Sequence, residues 1–581
     1  NPKQTRQQLN GSIYLDWNVF KGFTAHVDYA LSFSNYFQKR ADTPTGAAYD
    51  FQTGKDIGRY YVADNVGVSD NNTTNYKTQL NGRLQYETTI AQNHNIGAMF
   101  VYSEEYWHTR STGASRNDRI HPSTSEINSA LTNVQSNSGS SASEGLRSYI
   151  GRMNYSAYDK YLLEFSFRVD GSSKFIKGHQ YGFFPTVAVG WRFTEEEFLK
   201  KYLSSWLSSG KLRASWGKLG DNSGVGRFEQ LETLTAMNYM SSDVVKGFVN
   251  KKMINKDLSW EVSTDINVGL DLGFLNNRLR TEIDFYNRLR TGMNRPSQMS
   301  IHLTGAYSAP RANIGDLLNR GLELNLTWKD KIGNVEYSVN LNGAYNRTVL
   351  KEWNEFLSRG WVYLDMPYHF LYVYENNGIA QTWQDIYNNT PQGLSPGDVI
   401  RKDLNGDGII DGKDKKAYPN IQRDRPTTTY GITLQAAWKG FDISMLFNGG
   451  LGRKDFWLTD FNNTAFADRR YASTWDHWTE PWSLENRGGE WPRLGTSTDR
   501  SDNSYWLYNM NYLRMKNIML GYNLPKKLLS KISMTNLRIY ASAENLFTVT
   551  QYPGLDPEKK NSARDLYPIN RSFSIGLNVS F

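Results

Sequence analysis

Strict two-residue alternation over long stretches constrains this chain more than any other feature. Tyr76, Thr78, Leu80, Gly82, Leu84, Tyr86, Thr88 and Ile90 share one face, while Lys77, Gln79, Asn81, Arg83, Gln85, Glu87 and Thr89 share the other. A period of two puts successive side chains on opposite sides of an extended backbone, so the segment is a strand. The pattern returns at Leu163/Phe165/Phe167/Val169, Leu279/Ile283/Phe285, Leu322/Leu324/Leu326/Trp328, Tyr337/Val339/Leu341/Tyr345, Leu537/Ile539/Ala541 and Phe573/Ile575/Leu577/Val579/Phe581. It predicts about 16 to 18 strands, many of about ten residues or longer. Soluble strands average about five or six residues, whereas a tilted strand needs about nine to eleven to cross a bilayer. The expected fold is all-β, an antiparallel transmembrane β-barrel.

The connections agree with that orientation. Asn276-Asn277 and Asp330 to Asn334 are tight, whereas Arg40 to Asn75, His108 to Gly145, Gly220 to Lys256, Lys351 to Arg425 and Gly452 to Asn511 are long and polar. Short periplasmic turns and long extracellular loops describe an outer-membrane barrel. Ser136 to Ser143, a low-complexity run, is expected at a loop tip, and Thr194 with Glu197 is expected to cap a short helix ahead of Phe198. A second short helix is expected after Pro525. Lys77, Arg83, Glu87, Arg280, Glu282 and Asp284 fall on the faces opposite the apolar rows, where a wet lumen tolerates charge and lipid does not.

Composition removes several classes. Phe 27, Tyr 36 and Trp 17 make 80 aromatics in 581 residues, too much apolar surface for a disordered chain. No run of about 18 apolar residues offers a transmembrane helix, and Asn1 to Asn10 lack the basic and apolar regions of a signal peptide. The absence of cysteine excludes disulfides, thiolate catalysis and Cys-ligated metals. The net charge of +8 is carried by scattered pairs such as Lys251-Lys252 and Lys526-Lys527, so no nucleic-acid footprint is present. Neither HExxH nor a Walker A loop occurs, and the eight histidines include no i, i+4 pair. An enzyme is not expected.

One segment has metal-ligand spacing. Asp403, Asn405, Asp407, Asp411 and Asp414 occupy positions 1, 3, 5, 9 and 12 of a calcium loop, with Gly408 at position 6 and the Ile409 carbonyl at position 7. A hard cation needs several oxygens together to replace its hydration shell. Asp414 stands where a longer Glu is usual, and Pro396 and Pro419 leave no room for a helix–loop–helix hand. The expected cofactor is therefore a structural calcium that stiffens a long loop, placed ahead of a metal-free Asp/Gly turn. The Gly452 to Asn511 segment carries Trp457, Trp475, Trp478, Trp482, Trp491 and Trp506. Trp475, Trp478 and Trp482 are candidate stacking groups for a substrate or partner, weighed against indoles that pack the loop on itself.

Several stretches together resemble a known family: Arg168-Val-Asp170-Gly-Ser-Ser-Lys-Phe175, Tyr181-Gly-Phe-Phe-Pro185, Leu212-Arg-Ala-Ser-Trp-Gly217, Asn267-Val-Gly-Leu-Asp271 and Asn319-Arg-Gly-Leu-Glu323. Tyr512-Leu-Arg-Met-Lys-Asn517, Ala543-Glu-Asn-Leu-Phe547, Gly554-Leu-Asp-Pro-Glu558 and the aromatic-ended terminal strand continue the likeness. In order and spacing they resemble the SusC/RagA-like TonB-dependent transporters of Bacteroidota. The resemblance implies a barrel of about 22 strands with a plug. It places residues 1–581 as its C-terminal part, the plug and first strands lying outside this chain. It further implies active import of an oligosaccharide or oligopeptide across the outer membrane, a SusD-like surface lipoprotein as lid, and energy from TonB with ExbB and ExbD. A passive channel, a surface adhesin barrel and a soluble calcium-stabilised carbohydrate-binding β-protein are the competing readings.

Overall fold

The computed structural model describes residues 3–41, 67–117, 124–131, 135–203, 205–239, 245–250, 252–299, 302, 309–355, 363–368, 370–456, 480–493, 503–526, 528–529, 534–559 and 569–580, and the backbone alone of 45–49, 56–61, 240, 244 and 527. Two compact units divide it. One comprises Asn1–Val189, Trp216–Thr264 and Thr291–Ile314, the other Gly190–Ser215, Asp265–Arg290 and Gly315–Phe581.

Among the described residues seventeen strands carry the main antiparallel ladders, within the range the alternation predicts. Along the chain they are β1 Lys3–Phe20, β2 Phe23–Ala41, β3 Val68–Ile90, β4 His94–Arg116, β5 Gln135–Ala157, β6 Tyr161–Ser172, β7 Tyr181–Trp191, β8 Leu207–Asp221 and β9 Glu261–Phe274. There follow β10 Leu279–Thr291, β11 Asp316–Ile332, β12 Val335–Glu352, β13 Thr428–Trp438, β14 Phe441–Leu451, β15 Tyr512–Asn523, β16 Asn536–Thr550 and β17 Ser572–Ser580. In the first unit β1 through β6 pair antiparallel in sequence order. In the second, β10 through β17 do the same. Among the described residues no helix is long and apolar enough to cross a membrane.

The outward row is apolar and unusually bare. Leu80, Leu84, Leu322, Leu324 and Leu341 are exposed, and Ile575 is 84% exposed. Water would oppose so much uncovered apolar surface, whereas hydrocarbon accepts it. Aromatic side chains collect beside the tight turns: Phe20 on Phe23 at 5.0 Å, and Phe441 on Tyr522 at 4.4 Å between centroids. The Trp328 indole N–H donates to the Tyr337 hydroxyl at 3.1 Å. Such rings form the girdle that anchors a barrel at the membrane interface. The turns themselves need left-handed backbone. Asn276 and Asn277 have φ of 57° and 61°, tolerated because their short amide side chains fit that region. At Gly22, φ +84°, a Cβ would stand 2.3 Å from the Glu87 carbonyl oxygen, so only glycine closes the first hairpin.

Two local expectations are overturned. Ser136 to Ser143 is not a loop tip but ladder, pairing Ser115 to His108 of β4. The three strands β3, β4 and β5 each run 23 residues, far beyond a bilayer crossing, and outside lipid they no longer need an apolar row, which is why alternation misses their ends. Thr194 does not cap the helix Glu197–Leu203. It lies in the 3-10 turn Phe193–Glu195, and its hydroxyl accepts from the Gly210 N–H at 2.9 Å, a tertiary bond that outcompetes the local cap.

Candidate functional site

On the inward faces the polar side chains are knitted together. In the first unit His26 lies between Asp16 (2.6 Å) and Asp28 (3.1 Å), and Arg83 is its cross-strand partner. Asn81 donates to Asp28 at 2.9 Å and accepts from the Ser103 hydroxyl at 2.6 Å. Lys77 pairs with Glu105 at 2.9 Å and stands 4.8 Å over the Trp107 ring. Glu87 accepts from Gln85 at 2.7 Å. In the second unit Arg213 reaches Asp271 at 2.7 Å and Asp284 at 3.0 Å, holding two carboxylates with one fork. Glu282 accepts from Asn325 at 3.2 Å, while Arg280 sits opposite Thr327 on the same row. The six charged residues expected on the inward face therefore lie there. Alternation could not foresee Arg213, Asp271 or His26 as partners, because each pair bridges strands whose register the sequence leaves open.

On the loop side of the second unit, Leu371, Val373, Phe456 and Trp506 form a buried core flanked by Tyr505 and Leu507. Burial raises the Tyr505 phenol above its ordinary range and pushes Tyr508 up to about 12, as expected where water is excluded. A charged clamp ties the 556–559 segment to Arg453 and Arg514. Arg453, 2% exposed, donates to the carbonyls of Pro557 and Glu558 at 3.1 Å each. Arg514 reaches Asp556 at 2.7 Å and Glu558 at 2.5 Å.

The 403–414 loop folds as a tight turn with φ of +73° at Gly406 and +78° at Gly408. Asp403 accepts from the N–H groups of Gly406 (2.6 Å) and Gly408 (2.9 Å). Asp414 is fully buried and accepts from Asp411 (2.8 Å) and Leu404 (2.9 Å), with Asn405 at 3.4 Å. These N–H donors, Asp411 foremost, hold the Asp414 carboxyl below the usual carboxylate range. Asn405 donates to Asp407 at 2.9 Å, and Asp407 and Asp411 stand 4.0 and 3.8 Å from the Lys413 ammonium. The Ile409 side chain is exposed. Among the described residues no three acidic or histidine side chains gather as a metal cage.

Of the three candidate stacking tryptophans, Trp475 and Trp478 lie outside the described residues. Trp482 is buried, and its indole N–H donates to Gln381 at 2.9 Å, so here it packs the loop on itself. Gly393-Leu-Ser395-Pro-Gly397 has the spacing of a nucleophile elbow. Its setting differs: the Ser395 N–H donates to Asp398 at 2.9 Å, and Pro396 and the Val399–Arg401 strand follow instead of a helix. A surface feature absent from the sequence reading is the hairpin Leu234–Met240 with Val244–Asn250, which exposes Leu234, Met237, Tyr239, Val245 and Phe248 on its two faces.

Residues 1–392 match the family model described as TonB dependent receptor-like, beta-barrel. The chain is 28% identical to TonB-dependent receptor SusC of Bacteroides thetaiotaomicron, over 96% of this chain and 56% of that one. It is also 28% identical to TonB-dependent receptor P3 of Formosa agariphila, over 95% of this chain and 59% of that one. The chain thus spans somewhat over half the length of these curated relatives. In solved structures its fold is similar to that of the RagAB peptide transporter, with a TM-score of 0.82, 22% identity, and coverage of 100% of this chain and 62% of the other.

Proposed function

This chain belongs to the TonB-dependent receptor-like β-barrel family, and from that premise we propose that it forms the wall of an energy-coupled importer in the bacterial outer membrane. The observation that carries the reading is the pairing of bare apolar outer rows with inward faces lined by charge networks such as Arg213–Asp271–Asp284. A wet, charged interior suits passage of a polar solute rather than lipid contact. The proposed cargo is an oligosaccharide or oligopeptide; the structurally similar RagAB is a peptide transporter. A SusD-like surface lipoprotein is the proposed lid. Support for a lid comes from the apolar side chains that the 234–250 hairpin leaves uncovered. Two strands alone are marginally stable in water, and a covering partner would bury them.

The test is uptake of labelled oligosaccharide and oligopeptide pools by cells with and without the gene, before and after the proton gradient is collapsed, with affinity purification of the barrel in detergent. Expected are gene-dependent uptake that stops with the gradient and recovery of a surface lipoprotein. Uptake that survives collapse of the gradient supports a passive channel instead, and a barrel that binds cells or matrix without uptake supports an adhesin.

The same reading gives the 403–414 loop a structural calcium ion. Its support is the ligand spacing and the turn that Gly406 and Gly408 already adopt. Binding has to draw Asp407 and Asp411 away from Lys413 toward Asp403. Calcium is expected to slow amide exchange across 403–414, and Asp414→Asn to abolish that protection. Without metal the pH dependence is also signed. Because the folded Asp414 carboxyl titrates below its unfolded value, its contribution is complete above the ordinary carboxylate range and is lost as pH falls through the depressed value. Exchange that ignores both calcium and Asp414→Asn would remove the metal reading.

A further inference from the structure

We infer that Arg320 and Arg347 form a binding site for the phosphate of a lipid headgroup on the bilayer-facing wall. The two residues are direct cross-strand partners in β11 and β12. They continue the outward row in which Leu322 faces Tyr345, Leu324 faces Gly343, Leu326 faces Leu341 and Trp328 faces Val339. Leu322 is 48% exposed and Tyr345 49%, so this row looks out, not into the lumen. From Asp330, beside the tight turn, to Arg320 the strand climbs about ten residues. At about 3.4 Å per residue and a tilt of about 45° that is about 24 Å of height. The apolar band of an outer-membrane barrel is about 25 Å tall. Both guanidinium groups therefore stand where the apolar wall ends on the loop side, at the level of the lipid headgroups.

Their charges are not balanced from within. Like charges directly opposite in a sheet destabilise it. The hydrogen bond given to Arg320 runs from its Nε to the neutral Asn287 side chain at 2.7 Å. Among the described residues neither arginine has a carboxylate within ion-pair distance, and the Arg347 Nε is buried with no hydrogen-bond partner. Another outward arginine shows the contrast: Arg147 of β5 faces Glu104 of β4 and pairs with it at 3.3 Å. A phosphate between Arg320 and Arg347 would relieve the repulsion and accept from both planar forks. Leu322, Tyr345 and Phe285 lie exposed just below, a surface that acyl chains cover and a free anion does not. Basic clusters at the edge of a membrane-spanning segment recognise anionic headgroups in this way.

The experiment compares the protein isolated from its own outer membrane in mild detergent with the R320Q/R347Q variant, reading retained lipid by native mass spectrometry and phosphorus analysis. The native protein is expected to keep a phosphorylated lipid through detergent exchange, and the folded variant about tenfold less. Should the variant fail to fold, delipidated native protein is titrated with lipid A, enzymatically dephosphorylated lipid A and inorganic phosphate. Thermal stabilisation by lipid A alone is the expected result. Equal retention by the variant, or an equal response to dephosphorylated lipid A or to inorganic phosphate, overturns the site.

Discussion

Leu324→Arg is expected to destabilise the barrel by about 2–4 kcal/mol, the cost of a basic side chain at the bilayer midplane. Leu324 lies in the middle of the outward row of β11, between Leu322 and Leu326, and is 38% exposed. On a soluble sheet an exposed leucine is replaced for less than about 0.5 kcal/mol, so the size of the loss separates lipid from water around this face. The inward neighbour Asn325 supplies the control. It already donates to Glu282 and accepts from Asn340, and Asn325→Lys, which puts a basic side chain beside the Glu282 carboxylate in the wet interior, is expected to shift stability much less than Leu324→Arg. The measurement is reversible unfolding of the barrel in lipid vesicles. Equal, small effects at both positions would mean that the Leu324 face meets water, as in a soluble sandwich.

Arg514→Gln is the second large effect, about 3–5 kcal/mol, because it removes one partner of a buried ion pair and strands the other. Arg514 is 2% exposed and Asp556 3%. Besides its two carboxylate partners, the Arg514 Nε donates to the Thr548 hydroxyl at 2.9 Å. Without the guanidinium, Asp556 is left in a dry site where one carboxylate oxygen already has no partner. The loss should appear locally, as faster amide exchange across 551–559 together with a lower melting temperature. The Arg514→Met/Asp556→Leu pair should recover part of it, since a buried ion pair is often replaceable by apolar side chains of similar size. Unchanged exchange in Arg514→Gln would show that Arg453, with its bonds to Pro557 and Glu558, holds the segment alone.

These two substitutions divide the protein along the line between what a reader of the sequence sees and what folding adds. Leu324 is legible: its neighbours at every second position are apolar, and the strand is long enough to cross a bilayer. Arg514 is not. It sits in a segment with no charge pattern, and its partners Asp556 and Glu558 follow more than forty residues later across β16. The calcium spacing of 403–414 is legible as well, yet the observed turn commits Asp403 and Asp414 to backbone N–H groups. Tryptophan counts say nothing of burial, and Trp482 is inside the loop core.

By itself, then, the sequence determined the all-β class, a range of about 16 to 18 strands, and the apolar and polar face of each spanning segment. Those properties follow from a period of two that is built into the extended backbone and needs no knowledge of neighbours. Only the tertiary structure decided the cross-strand partners, Arg213 with Asp271 and Asp284 inside, Arg320 with Arg347 outside, and the clamp of Arg453 and Arg514 on Pro557 and Asp556. Register depends on contacts between residues far apart in the chain, and charge pairing depends on register.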